Sequence, residues 1–179
     1  GWLLHMDGAR LANAAAALDV PLRAVTSDVG VDMLSFGGTK CGLLAGEVVL
    51  VLSQGLAPQM PYTRKQGLQL ASKMRFLSAQ FLALLTDELW REMAQHANSM
   101  ARRLHESVGD LPGLEFTHPQ ESNAVFARLP ATALAQLRQD WRMAVWDAET
   151  HEVRWMASWD TTPEDVDDFA AAIRSALTD

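Results

Sequence analysis

Near its start the chain sets an apolar run, an alanine-rich segment and a second apolar run in succession, and each apolar run ends on a glycine turn. Trp2 to Met6 reads as a short buried strand that stops at Asp7-Gly8. Ala9 to Leu18 has the composition of a helix, and Pro21 stops it. Val31 to Phe36 reads as a second strand, closed by Gly37-Gly38. Val48 to Leu52 reads as a third, with the unbroken aliphatic run of a fully buried core strand. Strands alternating with helix specify an α/β fold. Three strands are few for a parallel sheet whose two faces both need cover. The chain opens on Gly1-Trp2-Leu3-Leu4, as if within a strand, and reads as a fragment whose absent N-terminal portion would supply the rest.

Phe76 to Val108 is the longest helical segment expected. Leu85, Leu89, Met93, Ala97, Met100, Leu104 and Val108 recur at spacings of three and four and form one apolar stripe. The character changes after Gly109-Asp110-Leu111-Pro112-Gly113. Strands are expected at Leu114 to Thr117, Ala124 to Leu129, Arg142 to Trp146 and Val153 to Ser158, with a helix at Ala131 to Gln139. A last helix follows Thr162-Pro163-Glu164-Asp165, which combines an N-cap threonine, a proline at the first helical position and acids in the first turn. Val166, Phe169, Ile173 and Leu177 form its buried face. The expected organisation is an α/β part at residues 1–108, including the long helix, and a small α+β part at residues 109–179.

Composition excludes several classes. Hydrophobic residues make up 49% and charged residues 21%, a globular balance. No apolar run is long enough to cross a bilayer. A net charge of −7 with no basic stripe argues against a nucleic-acid partner. With Cys41 the one cysteine, no intrachain disulfide can form, which fits a reducing, cytoplasmic setting.

Two segments carry the chemistry. His5-Met6-Asp7-Gly8-Ala9-Arg10 and Ser35-Phe36-Gly37-Gly38-Thr39-Lys40-Cys41-Gly42 each lie at the carboxyl end of an expected strand, where open α/β sheets bind ligands. Lys40 in a glycine-rich loop does not make a P-loop, because its threonine precedes the lysine and the spacing fails. The other chemistry open to such a lysine is Schiff-base formation with an aldehyde. Pyridoxal phosphate is the common aldehyde cofactor, and it wants a carboxylate against its pyridinium nitrogen; Asp7 is a candidate. Other readings stand beside this one. Asp7-Gly8 is also an ordinary turn, Lys40 also an ordinary solvated side chain, and His5 with Asp7 also a pair of metal ligands on one strand face. His96, His105, His118 and His151 form no recognisable ligand cluster to complete such a metal site. Cys41 has no evident base beside it and reads as structural. Trp141, Trp146, Trp155 and Trp159 read as core and interface of the small domain, not as a stacking platform.

His5 through Ala14, and Val31-Asp32-Met33-Leu34-Ser35-Phe36-Gly37-Gly38-Thr39-Lys40, resemble the core of the low-specificity L-threonine aldolases, pyridoxal-phosphate enzymes of the aspartate-aminotransferase fold (fold type I). Tyr62-Thr63-Arg64-Lys65 and Ser72-Lys73-Met74-Arg75-Phe76-Leu77-Ser78-Ala79-Gln80 resemble a bacterial branch of that family. The resemblance implies that residues 1–108 are the C-terminal portion of the cofactor-binding large domain. It implies that Lys40 holds the cofactor covalently and that Asp7 pairs with the pyridine nitrogen. Arg10 and Arg154 would hold the substrate carboxylate, for which a planar guanidinium suits better than an ammonium. Arg75 and Lys65 match basic residues near the cofactor phosphate or the subunit boundary, and Thr39 stands where relatives have serine. The implied reaction cleaves L-threonine or L-allo-threonine to glycine and acetaldehyde, in a homodimer or homotetramer. Another lyase or aminotransferase of the fold, such as a β-eliminating lyase, and a non-catalytic truncated chain are the alternatives.

Overall fold

In the computed structural model, which describes residues 1–178, the chain forms two compact units. They divide inside one helix, between Ala94 and Gln95.

The first unit is built on a three-stranded sheet in the order β1 (His5–Gly8), β2 (Met33–Gly37), β3 (Glu47–Val51). Helix α1 (Leu11–Ala17) carries the chain from β1 to β2, which run parallel with His5 opposite Met33 and Asp7 opposite Ser35. Small residues on α1 let it seat closely, and Ala12 and Ala15 are fully buried. β3 returns antiparallel to β2, with Phe36 opposite Val48 and Gly37 opposite Glu47. Leu11, Leu34, Phe36, Leu84 and Trp90 belong to the core of this unit. Three helices follow: α2 (Met60–Gln66), α3 (Met74–Leu85) and α4 (Leu89–Val108).

Three expectations are corrected here. The first strand begins at His5, not Trp2, and Trp2, Leu3 and Leu4 are exposed. Its partner begins only at Met33, after Gly30 turns the chain at φ 84°; of the residues before His5, Leu4 meets that segment through its carbonyl, which accepts the Asp32 and Met33 N–H groups at 2.9 and 3.2 Å. β3 is not a fully buried core strand: Val49 and Leu50 are exposed, because β3 is an edge with one neighbour. The long helix is two helices. Asp87 and Glu88 take φ of 50° and 58°, a left-handed geometry no helix accommodates, and they separate α3 from α4. Leu85, placed in the apolar stripe, therefore ends α3 and is exposed.

The second unit is an antiparallel sheet in the order β4 (Glu115–Phe116), β5 (Ala124–Arg128), β7 (Glu152–Met156), β6 (Ala144–Asp147). Val125 and Ala127 on β5, and Val153 and Trp155 on β7, alternate inward. They share a core with Leu134 and Leu137 of α5 (Ala131–Asp140), with Ile173 of α6 (Pro163–Thr178), and with Ala101, Leu104 and Val108 of α4. Trp90 and Ala94, on the first turns of α4, belong to the other core. At the start of α6 the Thr162 hydroxyl accepts the Asp165 N–H at 3.1 Å while the Asp165 carboxylate accepts the Thr162 N–H at 2.8 Å, a reciprocal cap. Trp155 is buried and Trp141 packs against the core. Trp146, expected there too, is 53% exposed.

Candidate active site

Because β1 and β2 are parallel neighbours, both deliver their carboxyl ends to the same edge of the sheet. Leu34 and Phe36 on β2 are buried on one face, with Met6 of β1 packed against the same core. The other face is mixed, with Met33 and Val49 among polar side chains. It carries His5, Asp7 and Ser35, and His5 Nε2 lies 3.0 Å from Ser35 Oγ. Among the described residues no group of three or more His, Cys, Asp or Glu side chains is placed to hold a metal ion.

Asp7 is exposed, and its Oδ1 accepts the Ala9 N–H at 3.0 Å. That bond fixes the carboxylate across the turn leaving β1. Arg10 follows as the N-cap of α1, half-buried, its carbonyl accepting the Ala14 N–H at 3.2 Å.

Lys40 sits in a tight turn, Thr39–Cys41, directly beyond β2, and its side chain is exposed, as is that of Thr39. Cys41 and Leu43 both donate their N–H to the Gly38 carbonyl, at 2.9 and 3.2 Å. The Glu47 carboxylate accepts the N–H groups of Gly38 and Thr39 at 3.2 and 3.3 Å. Gly42, at φ 102°, closes the turn in a conformation that favours glycine. Cys41 points inward and is buried; burial, helped by the Glu47 charge, pushes its thiol up to about 11.

The Asp7 and Lys40 turns are packed together. A Cβ at Gly37 would stand 2.6 Å from the Ala9 carbonyl oxygen and 2.8 Å from Ala9 Cα. A Cβ at Gly38 would stand 2.5 Å from the Gly46 carbonyl oxygen. Only a hydrogen fits at either place, so Gly37 is where the turn after Asp7 rests on the strand that leads to Lys40. An exposed acid and an exposed amine thus share one sheet edge.

The remaining expected site residues belong to other elements. Lys65 is on α2 and Arg75 on α3; both are exposed, and the Arg75 guanidinium lies over the Phe76 ring at 4.8 Å. Arg154 belongs to β7 of the second unit, half-buried, with its guanidinium over the Trp146 ring at 4.6 Å. Sequence reasoning missed Glu47 and Ser35. The signal for Glu47 was faint: one acid heading an aliphatic strand.

The model of the family described as beta-eliminating lyase matches residues 1–132. The chain belongs to that family. It is 44% identical over 179 residues to the low specificity L-threonine aldolase of Pseudomonas sp. (strain NCIMB 10558), and 45% identical over 178 residues to that of Pseudomonas aeruginosa. Each alignment takes in 99% of this chain and 51% of the relative, so the chain spans about half the length of these curated relatives. The structure of Leishmania major threonine aldolase superposes with a TM-score of 0.87 at 30% identity, over 99% of this chain and 52% of that one. The mixed α/β architecture is part of the fold-type-I arrangement that the resemblance implied.

Proposed function

We propose that the protein to which this chain belongs is a pyridoxal-phosphate-dependent aldolase that cleaves L-threonine or L-allo-threonine to glycine and acetaldehyde. The observation that supports the reading is the Gly37 contact, where the turn that follows Asp7 packs against the end of the strand that leads to Lys40. The threonine aldolases that align with 99% of the chain support it and favour it over a β-eliminating reaction.

The residues fit the cofactor. Asp7 Oδ1 accepts the Ala9 N–H, which fixes the exposed carboxylate at the end of β1, where it would meet a protonated ring nitrogen. The glycines of the Lys40 loop let backbone approach closely, and Thr39 is exposed in the same turn. When bound, the cofactor supplies an electron sink for the pair released as the Cα–Cβ bond breaks. The chain's residues do the rest. Lys40 would hold the cofactor covalently. Asp7 would keep its ring nitrogen protonated, a preorganised charge that needs no rearrangement during the reaction. Glu47, through its two backbone bonds, keeps the Lys40 turn from unwinding. Arg10 and Arg154 are assigned to the substrate carboxylate, and Lys65 and Arg75 to the phosphate region or a subunit boundary. The reading extends to a homodimer or homotetramer, to the cytoplasm, and to threonine catabolism with glycine formation.

The test uses the full protein. Borohydride reduction in the presence of pyridoxal phosphate, followed by peptide mass analysis, should label the peptide containing Lys40, and L-threonine should yield acetaldehyde. Lys40→Ala should lose the label and the visible absorbance of the bound cofactor; Asp7→Ala should keep the label and lose turnover by a factor of about 100 or more. A label retained in Lys40→Ala, or pyruvate and ammonia from serine in place of aldehyde from threonine, would overturn the proposal.

A further inference from the structure

Four arginines of the chain are half-buried: Arg10, Arg91, Arg128 and Arg154. Arg91 pairs with Asp19 at 3.2 Å and Glu88 at 3.4 Å, and Arg128 pairs with Glu115 at 3.1 Å. Arg10 engages a neighbour within the chain. Arg154 is different. Its Nε is buried without a hydrogen-bond acceptor, as are those of Arg91 and Arg128, but unlike them it has no carboxylate within ion-pair distance among the described residues. A partly desolvated guanidinium without an acid is costly unless something else satisfies it. Here its ring contact is the face of Trp146, 4.6 Å away.

The backbone puts Trp146 there. The register between β6 and β7 shifts between Val145 and Asp147, which makes Trp146 the extra residue of a bulge. A bulge re-aims its side chain. Asp147 anchors the far side by accepting the N–H groups of Glu149 and Thr150, at 2.8 and 3.4 Å. The indole is buttressed in turn. Phe126, opposite Arg154 in the ladder, meets it edge-on at 5.4 Å, and His118 tilts against Phe126 at 4.8 Å.

We propose that Trp146 is the positioning residue for Arg154: the bulged indole sets the plane of the guanidinium and leaves its N–H edge open to the carboxylate of an amino acid. The proposal rests on the carboxylate-binding role given to Arg154 above. An aromatic face suits the task better than an acid. It attracts the cation through its π-system yet uses none of its N–H donors, which stay available for a two-pronged carboxylate contact. It also removes rotamers that the long side chain would otherwise lose on binding.

The experiment compares Trp146→Leu, Trp146→Phe, Arg154→Ala and the Trp146→Leu/Arg154→Ala pair in the full, cofactor-loaded protein. Leucine keeps bulk and loses the π face; phenylalanine keeps the face. Trp146→Leu should raise KM for L-threonine, and the calorimetric Kd for glycine, about five- to tenfold with kcat within about twofold. Trp146→Phe should bring both back to within about twofold of the parent. Arg154→Ala should weaken both at least as much, and the double variant no further, since the indole acts through the arginine. Should leucine at this half-exposed position impair folding, Trp146→Ala removes the ring without new bulk and serves the same comparison. Unchanged glycine binding in the ring-less variant, or losses that add in the double variant, overturns the positioning role and leaves the carboxylate role of Arg154 standing. Unchanged binding in Arg154→Ala removes both.

Discussion

Lys40 and Cys41 are adjacent in sequence and opposite in environment. The turn sends the amine outward and the thiol into the core, where burial pushes it up to about 11. A group that stays protonated in the folded state and ionises near 9.0 when exposed makes the unfolded chain bind fewer protons between those values. Stability should therefore fall as pH rises from about 9 to about 11, by on the order of 2 kcal/mol. Denaturant midpoints measured across that range should show a slope that Cys41→Ala removes; an equal slope in both proteins would refute the assignment. The same turn marks the limit of what sequence discloses about the candidate site. Asp7 and Lys40 are legible because glycine turns after short apolar runs announce strand ends. Glu47 is not, because its task is to bind two backbone N–H groups that only the folded loop presents together. Trp146 escapes for a similar reason: its position depends on a bulge, a register fault that leaves no compositional mark.

At the scale of elements, the second unit is the more transparent. Inward alternation at Val125 and Ala127, and at Val153 and Trp155, matches the strand period, and Thr162-Pro163 announces the final helix. The reciprocal bonds between Thr162 and Asp165 hold Asp165 below the usual carboxylate range, so they act above its folded value and fade as acid protonates it. Thr162→Ala should cost about 1 kcal/mol, read as a lowered denaturant midpoint near neutral pH, with the difference from the parent shrinking below pH 4 or so. A difference independent of pH would mean that the carboxylate takes no part in the cap. The α3–α4 break was hidden by the very pattern that marks a helix. Leu85, Leu89 and Met93 keep helical spacing across it, and periodicity carries no information about φ. In the structure Thr86 turns its hydroxyl back to the Leu82 carbonyl at 2.7 Å, and the acids behind it occupy the head of a new helix. β3 misled in another way. An aliphatic run reports what a strand would bury, not whether a neighbour lies beside it.

For the molecule as a whole, the two cores are unequally covered. The second unit closes its apolar residues between one sheet and its helices. The first leaves Leu44, Val49, Leu50, Tyr62, Leu68, Phe76 and Leu82 exposed, and β3 shows an open edge. Exposed apolar surface on an unpaired strand favours association between chains, and a net charge of −7 opposes it only weakly at physiological salt. The chain prepared by itself should associate with rising concentration in light scattering, and Val49→Lys should reduce that association without altering its circular dichroism. Scattering independent of concentration would show that β3 is not the sticky element. Anyone who randomises the sheet edge to change what the molecule accepts will meet a fixed point at position 37. The single hydrogen that stands where a Cβ would be is the whole of its side-chain allowance, since Ala9 fills the space beyond. Diversity in a mutant library belongs on the outward-facing neighbours; any codon that adds a carbon at position 37 wedges apart the two turns that carry Asp7 and Lys40.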